Sequence, residues 1–207
     1  LIQSIPSTEN KKYWLDLTSS CPKDVSTMNA ILNRKNIMYM DAPVSGGPAG
    51  IKNKTVSTIL SGPKEIQRYT KDFIQLYAKN IYYISEIPGQ ASHVKLANNT
   101  LLALHLITNA EVFKILKHNN ICLEKALEFI NTSSGRNWAS IQRYPDHILP
   151  ETFDYGFSYP LHKKDVLTFL NDENTRNTFF LQTLQNIYQD PSNLLHDSMD
   201  HTEIIKI

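Results

Sequence analysis

The 207-residue sequence predicts an α/β architecture followed by an all-α part, and two observations carry that prediction. Up to about residue 86, short β-branched and aromatic runs alternate with longer segments of helical spacing, the pattern of strands and helices stacked in layers. Beyond Pro88 the alternation stops, and helical periodicity alone continues to the C-terminus. The change divides the chain into domains at 1–86 and 87–207.

Each element follows from its residues. Tyr13-Trp14-Leu15-Asp16-Leu17 reads as a short buried strand, closed by the polar turn Thr18-Ser19-Ser20-Cys21-Pro22. Pro22 suits a helix start with a serine-rich cap before it. Val25, Met28, Ile31 and Leu32 then fall at helical spacing over 23–34. A second apolar strand covers 37–40 and ends at Asp41. The β-branched stretch 55–60 is a third, closed by Ser61-Gly62-Pro63. A helix over 64–76 and a fourth strand over 80–84 complete the first part. Helices follow at 90–118, 123–132, 137–143, 162–171 and 174–188. The longest is apolar around nearly its whole circumference, including Val94, Leu96, Leu102, Ile107 and Phe113. Such a helix belongs inside a bundle or between subunits.

Composition narrows the function classes. Hydrophobic content of 41% and charged content of 20% are those of an ordinary soluble globular chain. A net charge of +1 gives no electrostatic reason to expect nucleic acid or an anionic membrane as partner. No apolar run reaches the roughly 20 residues that span a bilayer. Two cysteines, Cys21 and Cys122, are too few for a disulfide scaffold and lean towards a reducing compartment. Leu1 to Asn10 carries neither a signal-peptide nor an Arg-rich transit pattern, so any targeting segment would lie upstream. The seven histidines lack paired metal-ligand spacing, and no Gly-x-Ser-x-Gly nucleophile elbow occurs.

Two stretches carry chemistry. In Asp41-Ala-Pro-Val-Ser-Gly-Gly47, Pro43 stiffens the strand exit and Ser45 supplies a hydroxyl. Gly46 and Gly47 remove Cβ atoms where a ligand can approach, and their N–H groups can form an anion nest. A plain turn accounts for the same residues. In the second stretch, Lys95 and Asn99 are i and i+4 on the long helix, with Asn98 beside them. Burial among Val94, Leu96 and Ala97 would lower the lysine pKa towards acid–base use. The same lysine can instead snorkel from the helix end to solvent.

Together these stretches resemble the β-hydroxyacid dehydrogenase family, the 3-hydroxyisobutyrate dehydrogenases and their relatives. Asp-Ala-Pro-Val-Ser-Gly-Gly matches a family signature. The family's Gly-x-Gly-x3-Lys-x2-Asn-Asn is met by Gly89, Lys95, Asn98 and Asn99, with Ala91 in place of the second glycine. Thr18-Ser19, between Asp16 and Pro22, is similar to the family's Asp-x-Ser-Thr-x-x-Pro turn. Ser133-Ser134-Gly135-Arg136-Asn137-Trp138 is similar to its Ser-Ser-Gly-Arg segment, although Gly135 also reads as a helix C-cap with Arg136 on the surface. Lys164-Asp165 matches a Lys-Asp pair, and residues 196–205 its short C-terminal tail. Lys54 stands where the family usually has a second glycine after Gly50.

The resemblance implies the C-terminal part of a Rossmann-like nucleotide-binding domain, followed by a helical domain like that of 6-phosphogluconate dehydrogenase. It implies NAD or NADP as cofactor, touched by Thr18, Ser19 and Lys164. Ser45, Gly46 and Gly47 would hold the carboxylate of a small hydroxyacid or semialdehyde. Lys95 would be the general acid/base and Asn99 would orient the reacting hydroxyl. Homodimers or homotetramers through the helical domain are implied as well. The expected reaction is oxidation of 3-hydroxyisobutyrate to methylmalonate semialdehyde. The alternatives are a glyoxylate or succinic semialdehyde reductase of the same family, and a non-catalytic relative serving as a binding or assembly module. The non-catalytic alternative arises because the sequence contains no Gly-x-Gly, whereas a dinucleotide fold normally grips pyrophosphate with Gly-x-Gly-x-x-Gly. The first domain is therefore expected to lack its fingerprint portion.

Overall fold

The computed structural model describes residues 2–176, 178–190, 196 and 198–206. It divides into two compact units, Leu1–Ala97 and Asn98–Ile207. The division falls inside the long helix rather than ahead of it.

In the first unit, strand β1 (Lys12–Asp16) pairs in parallel with β2 (Ile37–Asp41), from Lys12↔Ile37 to Asp16↔Asp41. Helix α1 (Pro22–Asn33) is the crossover, and its Val25 and Leu32 pack with Ile37 and Tyr39. The expected serine cap does not form. Cys21 holds the N-cap position without a side-chain bond, while the Ser20 hydroxyl lies 2.9 Å from that of Thr18. Beyond Asp41 the chain continues as β3 (Val44–Ser45), and both segments face β4 (Val56–Ser61) antiparallel. Their register is common: Asp41↔Ser61, Val44↔Thr58, Ser45↔Ser57. Pro43 has no N–H to give. Its carbonyl still accepts from the Ile59 N–H at 3.3 Å and the Thr58 hydroxyl at 3.1 Å, so the proline does not cut the ladder.

Residues 41–50, expected as one loop, therefore form the short β3 and a helix, α2 (Gly47–Lys52). Helix α3 (Lys64–Gln75) leads to β5 (Ala78–Ser85), which runs parallel to β4. The five-stranded sheet is mixed. Met40 and Leu60 on the sheet meet Ile66 and Ile74 of α3 in a fully buried core.

Helix α4 (Gln90–His118) runs through the division into the second unit. There α5 (Leu123–Asn131), a π-helical segment (Ala139–Ile148), α6 (Tyr159–Leu170) and α7 (Phe179–Gln189) follow. Short 3-10 segments occupy Glu173–Thr175 and His201–Lys206. Leu106 and Phe113 of α4 share one core with Tyr144, Val166, Leu184 and Tyr188. The helix expected to stop at 143, ahead of Pro145, runs on to Ile148. It does so by widening: the Leu149 N–H reaches the Tyr144 carbonyl five residues back, a spacing that accommodates an internal proline. The helix expected over 174–188 begins only at Phe179; Asn177 and, in the C-terminal tail, Asp197 lie outside the described residues. Gly135 is no C-cap either, since α5 ends at Asn131 with Thr132 as its cap and Gly135 lacks the left-handed φ.

Candidate active site

The first unit holds Thr18, Ser19, Ser45, Gly46, Gly47 and Lys95. At the end of β1, the Asp16 carboxylate folds the next turn onto itself, accepting from the Thr18 N–H at 2.9 Å and the Thr18 hydroxyl at 2.7 Å. Its other oxygen accepts from the Tyr39 hydroxyl at 2.8 Å. Burial, reinforced by Asp16, pushes that phenol far above its ordinary pKa and keeps it a donor. Thr18 is thereby fixed yet exposed, and Ser19 is half-buried.

Ser45 ends β3 half-buried, and the two glycines after it turn the chain into α2. Gly46 has φ +146°, and a Cβ there would lie 3.3 Å from the Val56 backbone. Gly47 has φ +63° and opens the helix. Lys54, the departure from the family's glycine, has φ +54°, a left-handed conformation that glycine adopts without strain.

The start of α4 is fastened by groups from the sheet. Asp41 is fully buried, and its Oδ1 accepts from the Gly89 N–H at 2.9 Å and the Ser61 hydroxyl at 2.5 Å. Its Oδ2 accepts from the Ser92 N–H at 2.9 Å. Ser61 Oγ in turn accepts from the Ala91 N–H at 2.8 Å. Lys95 follows one turn later, half-buried. Sequence reasoning passed over Asp41 and Ser61. The available signal was an acid closing an otherwise apolar strand, Ile37-Met-Tyr-Met-Asp41, where an unpaired carboxylate would be costly.

The second unit holds Asn99 and Lys164, and α6 brings their neighbourhoods together. Asn99 is buried; its Nδ2 donates to Asp165 Oδ2 at 2.7 Å, and its Oδ1 accepts from Asn98 at 3.3 Å. The buried His162 ring lies 3.1 Å from the Asn99 carbonyl. The Lys164 ammonium, about half exposed, sits 2.8 Å from Asp165 Oδ1. Asn99 and Lys164 thus share one carboxylate. Arg136 and Trp138 are both exposed, while Asn137 between them is half-buried. Among the described residues no group of three His, Cys, Asp or Glu could hold a metal ion, and no helix is long and apolar enough to cross a membrane.

A family model described as the NAD-binding domain of NADP-dependent 3-hydroxyisobutyrate dehydrogenase matches residues 89–207, more than half of the chain. One described as the NAD-binding domain of 6-phosphogluconate dehydrogenase matches residues 2–85. The chain belongs to the β-hydroxyacid dehydrogenase family.

Among its relatives, 2-(hydroxymethyl)glutarate dehydrogenase of Eubacterium barkeri is 28% identical over 152 residues, 73% of this chain and 50% of that protein. Mycobacterium tuberculosis 3-hydroxyisobutyrate dehydrogenase, solved with L-serine, superposes with a TM-score of 0.82 at 21% identity, over 98% of this chain and 70% of that one. Psf3, solved with NADP+ and 2-OPP, gives 0.84 at 19% identity, over 95% and 69%. The fold is thus a Rossmann-like α/β part followed by a 6-phosphogluconate-dehydrogenase-like helical part. The chain spans about half the length of the curated relatives it matches.

Proposed function

We propose that the protein oxidises a short β-hydroxyacid at the expense of NAD or NADP, with 3-hydroxyisobutyrate as leading substrate and methylmalonate semialdehyde as product. The observation that carries this reading is α4, which keeps Lys95 and Asn99 one turn apart, with the Asn99 amide held by Asp165. Ser45 and the backbone of Gly46 and Gly47 hold the substrate carboxylate. Neutral Lys95 takes the hydroxyl proton, and Asn99 orients the oxygen that becomes the carbonyl. A bound nicotinamide supplies the hydride acceptor. In the reverse direction, the Lys95 ammonium donates the proton to a semialdehyde or to glyoxylate.

Each unit holds residues that the family resemblance gives to the cofactor. The Thr18-Ser19 turn follows the carboxyl end of a parallel strand, where ligands settle in open α/β sheets, and Asp16 pre-forms it. In the second unit, Lys164 is half-exposed and ion-paired to Asp165. No Gly-x-Gly-x-x-Gly for the pyrophosphate occurs among the 207 residues. We accordingly read 1–86 as the later part of a nucleotide-binding domain and 87–207 as the substrate and pairing domain.

A panel of 3-hydroxyisobutyrate, other short hydroxyacids, glyoxylate, succinic semialdehyde and 6-phosphogluconate, given to the whole protein with NAD or NADP, tests the reading. Turnover of a short β-hydroxyacid is expected, with kcat falling about 10²- to 10⁴-fold in Lys95→Ala. A second reading is a non-catalytic relative that serves as a binding or assembly module. No nicotinamide-dependent turnover on any member of the panel would count against the first reading and for the second.

A further inference from the structure

We infer that Asp41 and Ser61 are positioning residues that set the distance between the lysine helix and the segment meant to hold the substrate carboxylate. The inference rests on the function proposed above. An ordinary helix caps its own first N–H groups with a side chain at the N-cap. In α4 that position is Gly89, which has no side chain to offer. Its φ is +98°, and a Cβ there would come 3.2 Å from the Pro22 carbonyl oxygen. The cap is imported instead. Asp41 closes β2, Ser61 closes β4, and the two are direct register partners. Between them they satisfy the N–H groups of Gly89, Ala91 and Ser92.

Both groups are fully buried, as are Ala91 and Ser92, so the attachment is closed to water. A carboxylate under a helix N-terminus is also the favourable sense of the helix dipole. Lys95 lies six residues beyond Gly89, about 9 Å along the axis, so a small tilt at the attachment moves its ammonium through a larger arc. Asp41 also lies on the same continued strand, in the same register, as Ser45. One carboxylate therefore ties the Ser45-Gly46-Gly47 segment and the start of the Lys95 helix to a single rigid strand.

Asp41→Asn keeps the shape but replaces one acceptor oxygen with an NH2 that must face an N–H or O–H donor. In the whole protein this change is expected to lower kcat about 10- to 100-fold, the cost of a misplacement of order 1 Å, with KM within a few-fold. Ser61→Ala should give a smaller loss in the same sense. The same Asp41→Asn change made in a Lys95→Ala background should cost nothing further, because the residue acts through the lysine. Amide hydrogen exchange, which needs no turnover, should speed up at Gly89, Ala91 and Ser92 while α1 stays protected. An equal kcat loss in the Lys95→Ala background, or unchanged exchange, overturns the inference. A wild-type protein inactive on every hydroxyacid would sink the proposed function and the kinetic role together. Exchange would then still decide whether the pair fastens the helix.

Discussion

At the scale of single residues, Lys54 shows how a family departure is accommodated. Its φ of +54° places a long side chain in a conformation that costs an L-residue about 1–2 kcal/mol. Asn36 and Asn120 adopt the same region with side chains that tolerate it. Glycine at 54 relieves the strain but loosens the unfolded chain, so Lys54→Gly should stabilise by only about 0.5–1 kcal/mol. Chemical denaturation of the two proteins side by side measures it, and a destabilised variant would refute the strain. Lys54 lies in the turn after α2 and carries no chemical role, so turnover should be unchanged. The candidate site residues Lys95, Asn99, Ser45 and the paired glycines were named through a motif resemblance, since residue type alone leaves a plain turn and a snorkelling lysine open. Their supports were not legible. Asp41, Ser61 and Asp165 act through partners 20 to 66 positions away, and no local pattern encodes that closeness.

At the scale of elements, two caps decide how the helical unit closes. Asn137 Oδ1 accepts from the Ser140 N–H at 3.0 Å, and Ser140 Oγ accepts from the Asn137 N–H at 3.0 Å, a reciprocal cap for the π-helical segment. The same Asn137 amide exchanges two hydrogen bonds with Asn109 of α4, at 3.0 and 3.1 Å. Asn137→Ala should therefore cost about 1–2 kcal/mol in denaturant unfolding, and a loss below a few tenths would show that water replaces these bonds.

The second cap is Asp200, which accepts from the Thr202 N–H at 3.0 Å and fastens the Gly156 and Phe157 N–H groups, while Glu203 returns to the Asp200 N–H at 3.1 Å. Next to it His201 is fully buried. Its Nε2 accepts from Arg143 Nε at 3.2 Å, and its Nδ1 lies 3.1 Å from Asp200 Oδ1. Burial lowers its pKa, Arg143 adds to that, and Asp200 opposes. The unfolded histidine then binds more protons than the folded one, so stability falls as pH drops through the unfolded value near 6.5. Burial lowers the pKa of His105 as well, in the same sense. Asp200, held far below the usual carboxylate range by His201 and Thr202 against its burial, loses its contribution only below about pH 4. His201→Gln keeps an acceptor for Arg143 but does not titrate. The fall in Tm between about pH 7.5 and 5.5 should flatten in that variant and persist in part through His105. An unchanged slope would exclude His201 as a source.

Element order was largely legible because strands and long helices repeat their apolar residues at fixed periods. Where one residue contradicts its neighbours, hydrogen bonds outside the regular pattern decided the outcome: cross-strand bonds to the Pro43 carbonyl between β2 and β3, and a widened backbone bond around Pro145 in the π-helical segment.

At the scale of the whole molecule, two surfaces remain to be accounted for. The sequence offers no Gly-x-Gly-x-x-Gly, so the 207 residues alone should bind NAD or NADP weakly; a titration giving micromolar affinity would contradict that. The other surface is on α4. Leu101, Val112 and Ile115 are 55%, 51% and 62% exposed. At 100° per residue they fall, with the exposed Thr108, within one narrow sector, so the exposed apolar groups form a line several turns long. We propose that this apolar line, on a helix whose other side is already packed in the core, is covered by the matching helix of a second copy. The protein should therefore be a dimer or tetramer by light scattering. Val112→Glu combined with Ile115→Lys should lower the mass towards that of the monomer without unfolding the helical unit, since neither side chain is in the core. A wild-type monomer at micromolar concentration, or an assembly indifferent to both charges, would place the contact elsewhere or remove it.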